Sequence, residues 1–205
     1  MARSGIVADA AVSRAKFARE IAQYFKLEDE HIRRGWLLVK HEWPEVFVVF
    51  GVPQLRPPAI LFGALIDFTD YDFYPPSVTL VHPFTRVPYK MNEVPSSLQR
   101  TVPAQVPPQI LAMMGVAPNL QMQQQQPLLV AFTPDEIPFL CVAGTYEYHN
   151  NPGHTADSWF AHRGTENEGT LYYLLNILYQ YGTAPITEYA VQPVVKGFLQ
   201  GEAPK

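Results

Sequence analysis

The hydrophobic positions of this chain change period from one segment to the next. Near the N-terminus Phe17, Ile21, Tyr24 and Phe25 recur at i, i+4, i+7 and i+8, which places them on one face of a helix. Arg14, Lys16, Arg19 and Glu20 fall at other positions around that helix and read as a solvated face, with a docking surface as the alternative. From Gly35 onward the pattern turns to short apolar runs, WLLVK, VFVVFGV, AILFGALIDF and SVTLV, each bounded by Pro, Gly or Asp. The links between them are too short for crossover helices, so an antiparallel meander is expected. Strands that are apolar on both faces call for a helix across at least one face, and the N-terminal helix is the candidate. Between the third and fourth runs Pro75 and Pro76 cannot donate ladder hydrogen bonds and enforce a stiff extended link, with Phe73 and the tyrosines packed around it.

Residues 86–138 are different material. Nine of the chain's twenty prolines lie there, together with QMQQQQ at 121–126, and alternation is weak. The segment reads as a long insertion loop, either a surface excursion or a partner-binding flap. Within it PPQILAMMGV has the pattern of a turn of helix, with Pro107 and Pro108 before it and Gly115 near its end. After PLLVAF and PFLCVAG comes the last helix, where Leu171, Leu174, Leu175 and Leu178 form an i, i+3, i+4, i+7 stripe. Thr165-Glu166-Asn167-Glu168 has capping-box spacing, and Gly182 is placed to close the helix.

Composition narrows the classes. At 205 residues and 47% hydrophobic the chain has enough for one sizeable core, so a single domain over 1–205 is expected. A net charge of -4 offers no basic field for a phosphate backbone, which argues against nucleic acid as a partner. The single cysteine cannot form an internal disulfide, no secretory leader pattern opens the chain, and no run of 18 apolar residues exists. The expectation is a cytoplasmic protein that does not engage a membrane.

Candidate chemistry concentrates in FLCVAGTYEYHNNPGH, residues 139–154, where Cys141 is followed by Glu147, His149 and His154. One reading makes Cys141 a nucleophile. Its thiolate, disfavoured at an ordinary thiol pKa, would be supported by an imidazole of His149 or His154, with the other, or Glu147, taking a proton. A second reading makes Cys141, Glu147, His149 and His154 zinc ligands, although C-x5-E-x-H-x4-H is not a standard finger spacing. In a third, Cys141 among Phe139, Leu140, Val142 and Ala143 is a small buried residue and the histidines make ordinary loop hydrogen bonds. His162 and Arg163, just before the capping box, read as a solvated pair, and His31 and His41 as structural.

The order of elements, a helix, a four-stranded meander with Tyr74-Pro75-Pro76-Ser77-Val78 before its last strand, a cysteine in a loop and a leucine-rich helix, resembles the ubiquitin-conjugating enzymes. The resemblance implies an α+β fold and a transferase that accepts a ubiquitin-like modifier from an activating enzyme as a thioester on Cys141 and passes it to a target amine. It implies no cofactor. Members of that family carry a His-Pro-Asn triplet before the cysteine, and here the matching triplet is His82-Pro83-Phe84, without the asparagine that assists attack. The likeness is closer to divergent bacterial relatives associated with ubiquitin-like modifiers, some described as metal-binding through a Cys, Glu, His, His set. Asn150 or Asn151 is a candidate to supply the missing amide, and Arg14, Lys16 and Arg19 are candidates for meeting the activating enzyme. A non-catalytic binding scaffold is the remaining alternative.

Overall fold

Each apolar run becomes a strand. In the computed structural model, which describes residues 8–104, 113, 123–154, 157–164 and 167–190, β1 (Trp36–Glu42), β2 (Glu45–Val52), β3 (Ala59–Asp67) and β4 (Ser77–Val81) form one antiparallel sheet in the order β1-β2-β3-β4. The expected meander is present, and the chain is a mixed α+β protein with helices at both ends of its sequence. β2 is buried from Val46 through Val52 because both faces of the sheet are covered. On one face Val46, Val48 and Phe50 join a core with Phe17, Ile21 and Tyr24 of α1 (Ala10–Phe25) and with the leucines of the last helix. On the other face Phe47, Val49 and Val81 form a smaller cluster, and the Arg86 guanidinium lies 4.4 Å from the Phe47 ring centroid. Gly63 makes this possible, since a Cβ there would sit 2.6 Å from the Phe47 ring.

Helix α1 begins where the Asp9 carboxylate accepts from the Ala11 amide at 2.8 Å. A short α2 (Glu28–Arg33) follows. The face of α1 that turns inward differs from the sequence expectation at two places. Phe25 remains 43% exposed, with its ring against His41. Glu20, expected on the solvated face, is buried at 2% exposure. Its carboxylate accepts from the Leu171 amide at 3.1 Å, from the Tyr71 hydroxyl at 3.2 Å and from Arg19 at 3.2 Å. The charge is tolerated because it terminates the exposed amides at the start of a helix and carries three donors. Lys16 likewise bonds Asp72 rather than standing free, while Arg14 is exposed.

The described parts of the insertion include paired strands where a loop was expected. β5 (Gln99–Pro103) and β6 (Gln123–Pro127) pair antiparallel, with Arg100 opposite Gln126 and Thr101 opposite Gln125. The pairing is invisible in the sequence because β6 is exposed at every position, so no apolar alternation marks it. Side chains add to the ladder: Arg100 Nε donates to Gln126 at 2.8 Å and Gln125 to Thr101 at 3.0 Å. The turn of helix expected in PPQILAMMGV lies outside the described residues apart from Met113. β7 (Leu129–Val130) and β8 (Phe139–Leu140) form a second small pair.

The C-terminal helix, labelled α5 below, runs over Leu171–Leu178, and its four stripe leucines are all buried. Its cap is Thr170, whose hydroxyl accepts from the Tyr173 amide at 3.2 Å. The expected box at 165–168 is not the cap, and Thr165 and Glu166 lie outside the described residues. Nor does Gly182 end the helix as a left-handed cap: the chain passes into a π-helical turn, Tyr179–Thr183, and Gly182 is there because a Cβ would come within 3.0 Å of Phe62. Among the described residues no helix is long and apolar enough to cross a membrane.

Two expectations follow from this packing. Glu20→Ala leaves the Leu171 amide and Tyr71 hydroxyl buried without their acceptor, so the urea midpoint should fall by the equivalent of about 3 kcal/mol at constant m-value. His31 is 1% exposed, with its ring centroid 4.7 Å from Trp36 and 4.4 Å from Tyr24. Burial, helped by the Arg34 charge, holds its pKa below the ordinary 6.5. The folded state therefore keeps His31 neutral where the unfolded chain already binds a proton, and this contribution is lost as pH falls below about 6.5. Denaturation at a series of pH values should show a shallower acid limb for His31→Phe than for the wild type, and identical limbs would contradict the assignment.

Candidate functional site

The cysteine loop is tied by main-chain bonds to two neighbouring segments. Leaving β8, the Cys141 amide donates to the Leu128 carbonyl at 2.7 Å, and the Leu128 amide donates to Leu98 at 2.8 Å, which ties the base of the insertion hairpin to the cysteine. The buried Thr145 hydroxyl lies 2.8 Å from both the Leu140 and Val142 carbonyls and folds the chain back on itself. Helix α3 (Tyr146–His149) then docks on the Pro-Pro link: the Tyr146 amide donates to the Pro76 carbonyl at 2.8 Å and the Ser77 hydroxyl donates to the Glu147 carboxylate. The rings of Phe73, Tyr74 and Tyr146 pack edge to face around this link. Gly144 and Gly169, both at positive φ, place two backbones in contact, since a Cβ on Gly144 would meet the Gly169 nitrogen at 2.4 Å. A Cβ on Gly169 would strike Trp159, at the start of α4 (Trp159–His162).

Of the four predicted site residues the fold brings two together. Cys141 is half-buried, and its Sγ lies 3.6 Å from His154 Nε2. His149 faces elsewhere. Its Nε2 accepts the Gly144 amide at 3.1 Å, so Nδ1 carries the proton and donates to the Asp157 carbonyl at 2.9 Å. With both nitrogens hydrogen-bonded, His149 fixes the loop. Glu147 accepts from the Ser77 hydroxyl. Among the described residues no group of three or more His, Cys, Asp or Glu side chains is arranged to hold a metal ion, and the four residues of the alternative zinc reading are not brought into such a group.

The two candidate asparagines make local hydrogen bonds. Asn150 Nδ2 donates to the Tyr146 carbonyl at 3.2 Å, and Asn151 Oδ1 accepts from the Gly153 amide at 2.8 Å. His82 organises the turn after β4 by accepting from the Phe84 and Thr85 amides at 3.3 and 3.2 Å, which leaves Phe84 73% exposed.

Four further residues surround the pair that the sequence reading did not select. The Tyr148 ring stacks on His154 with centroids 4.0 Å apart, and its hydroxyl donates to Asp157 Oδ2 at 2.7 Å. Asp157 Oδ1 faces His162 Nε2, and His162 Nδ1 lies 2.6 Å from Glu168 Oε2. His162 is thus held between two carboxylates, not solvated, and Asp157 first and Glu168 second raise its pKa. Tyr148 and His162 hold Asp157 below its usual range. Arg163 reaches Asp72 at 3.6 Å and lies 5.7 Å from the Phe160 ring centroid. The only hint in the sequence was the density of polar residues between 145 and 168, which does not say which of them pair.

Known proteins share this chain's sequence over nearly its whole length. A family model described as Y4jH-like (Y4jH family) matches residues 8–186, a span that takes in the sheet, the cysteine loop and the last helix. The chain is also 37% identical over 186 residues to a protein of Sinorhizobium fredii (strain NBRC 101917 / NGR234) described as uncharacterized protein y4jH, covering 89% of this chain and 88% of that one.

Burial pushes the Cys141 thiol above its ordinary value, with the Arg100 charge opposing the shift. The shift favours the protonated thiol. Alkylation by iodoacetamide, followed by intact mass, should accelerate with pH through and beyond the ordinary thiol range and show no fast plateau near neutrality; such a plateau would mean a preformed thiolate.

Proposed function

The chain belongs to the Y4jH-like family, and we propose that it is a carrier enzyme of a bacterial ubiquitin-like conjugation pathway, of the ubiquitin-conjugating kind, that holds the modifier as a thioester on Cys141. The observation that carries this reading is the single thiol facing an imidazole nitrogen at 3.6 Å, half-exposed on a loop that follows a four-stranded meander. A thiol that must be loaded and unloaded needs a proton acceptor within reach and access from solvent, and this one has both. The order of elements supports the reading as well: α1, the sheet, Tyr74-Pro75-Pro76 before β4, the cysteine loop, then α5.

The steps follow from these groups. His154 takes the proton from the Cys141 sulfur, which attacks the carbonyl carbon of the modifier's thioester on an activating enzyme. The new carbon–sulfur bond forms on Cys141, the old one breaks, and the departing thiolate takes up a proton. In the second half a target amine attacks the same carbon, loses a proton to His154, and displaces the Cys141 thiolate as the amide forms. Gly144, Thr145, Glu147 and His149 hold the loop in place. The exposed Arg14 and Arg19 on α1, with the partly covered Lys16, are the surface proposed to meet the activating enzyme.

The test is reconstitution with ATP, a bacterial ubiquitin-like modifier and its activating enzyme, read on gels with and without reductant. A reductant-sensitive adduct, absent in Cys141→Ala and replaced by a reductant-resistant oxyester in Cys141→Ser, is expected. An adduct that persists in Cys141→Ala, or none in the wild type, rules the reading out.

A further inference from the structure

The His154 ring is addressed through its face. Tyr148 lies against it with ring centroids 4.0 Å apart and planes 25° from parallel, while Nε2 points to the Cys141 sulfur. We propose that Tyr148 is the positioning residue of His154, keeping Nε2 on the Cys141 sulfur and favouring the imidazolium that forms when His154 takes the thiol proton, and that the Asp157, His162 and Glu168 side chains fix Tyr148 in this role. The proposal rests on the reading of Cys141 as the acyl carrier.

Three observations combine. First, a parallel ring constrains the tilt of the imidazole, and an aromatic face becomes more attractive when that imidazole gains charge. Second, Tyr148 is held at both ends. Its backbone belongs to α3, whose last residue, His149, is bonded through both ring nitrogens, and its hydroxyl donates to Asp157 at 2.7 Å. The phenol stays protonated, since burial and the Asp157 charge push its pKa up to about 12. Third, the holding group is itself held. Asp157 accepts from His162, which also meets Glu168 at 2.6 Å, so a charge-assisted chain runs from the residue behind the base to the residue just before Gly169. A packing role alone would use the ring and leave the hydroxyl idle.

The test reads the thiol without any modifier or activating enzyme. Cys141 is alkylated with iodoacetamide near neutral pH in the wild type, Tyr148→Leu, Tyr148→Phe and Asp157→Asn, each checked for folding by circular dichroism. Tyr148→Leu should slow the reaction by about threefold, the size of one face interaction with a cation. Tyr148→Phe and Asp157→Asn, which keep the face and loosen its tether, should slow it less. In a His154→Ala background Tyr148→Leu should have no further effect, because the contribution passes through that ring. A folded Tyr148→Leu that reacts at the wild-type rate or faster, or one that slows equally in the His154→Ala background, overturns the proposal. If Tyr148→Leu does not fold, Asp157→Asn decides in the same way. Since no modifier is involved, slowing that follows this pattern alongside a failed reconstitution would overturn the carrier reading and leave the positioning role intact.

Discussion

The structure depends on a carboxylate sealed beneath its first helix. Glu20 accepts from the first amide of α5 and from the Tyr71 hydroxyl, and so joins two segments separated by 151 positions to the link that follows β3. A buried anion costs several kcal/mol unless donors surround it, and the end of a helix supplies donors that need an acceptor. Each therefore resolves the other's deficit. With α5 seated, its leucines complete the main core over the sheet, and the turn before it brings Gly169 against Gly144 just after the cysteine. The cysteine loop is thus fixed by the segment that leads into α5.

The histidines near the cysteine divide the work according to what each nitrogen meets. His149 spends both on the backbone, His162 spends both on carboxylates, and His154 presents Nε2 to the sulfur. In a small loop this separation matters, because it is His154 that turns a ring nitrogen toward the sulfur. It also explains why Cys, Glu, His and His, read in order, suggest a ligand set that the fold does not assemble: Glu147 and His149 are building the loop.

What could be read from the sequence follows from how local each determinant is. The meander was legible because Val46 through Val52 and their partners are apolar in runs set by burial on both faces, and the stripe of α5 because its four leucines repeat at the helical period. Glu20 was not, since a charge beside a helix face reads as solvated until its partner at Leu171 is known. The β5 and β6 hairpin escaped because a strand exposed at every position leaves no periodic trace. At the site, the residue types were visible, but the choice of His154 over His149 depends on the Gly144 amide and the Asp157 carbonyl, which no spacing encodes.

The central claim is that Cys141 and His154 act as one reactive pair on acyl groups. Its most direct measurement is the rate at which a small peptide thioester transfers its acyl group to the protein, followed by intact mass with peptide mapping. A single acyl adduct on Cys141, formed several-fold faster than in folded His154→Ala, is the predicted result; acylation elsewhere, or equal rates with and without the imidazole, would contradict it.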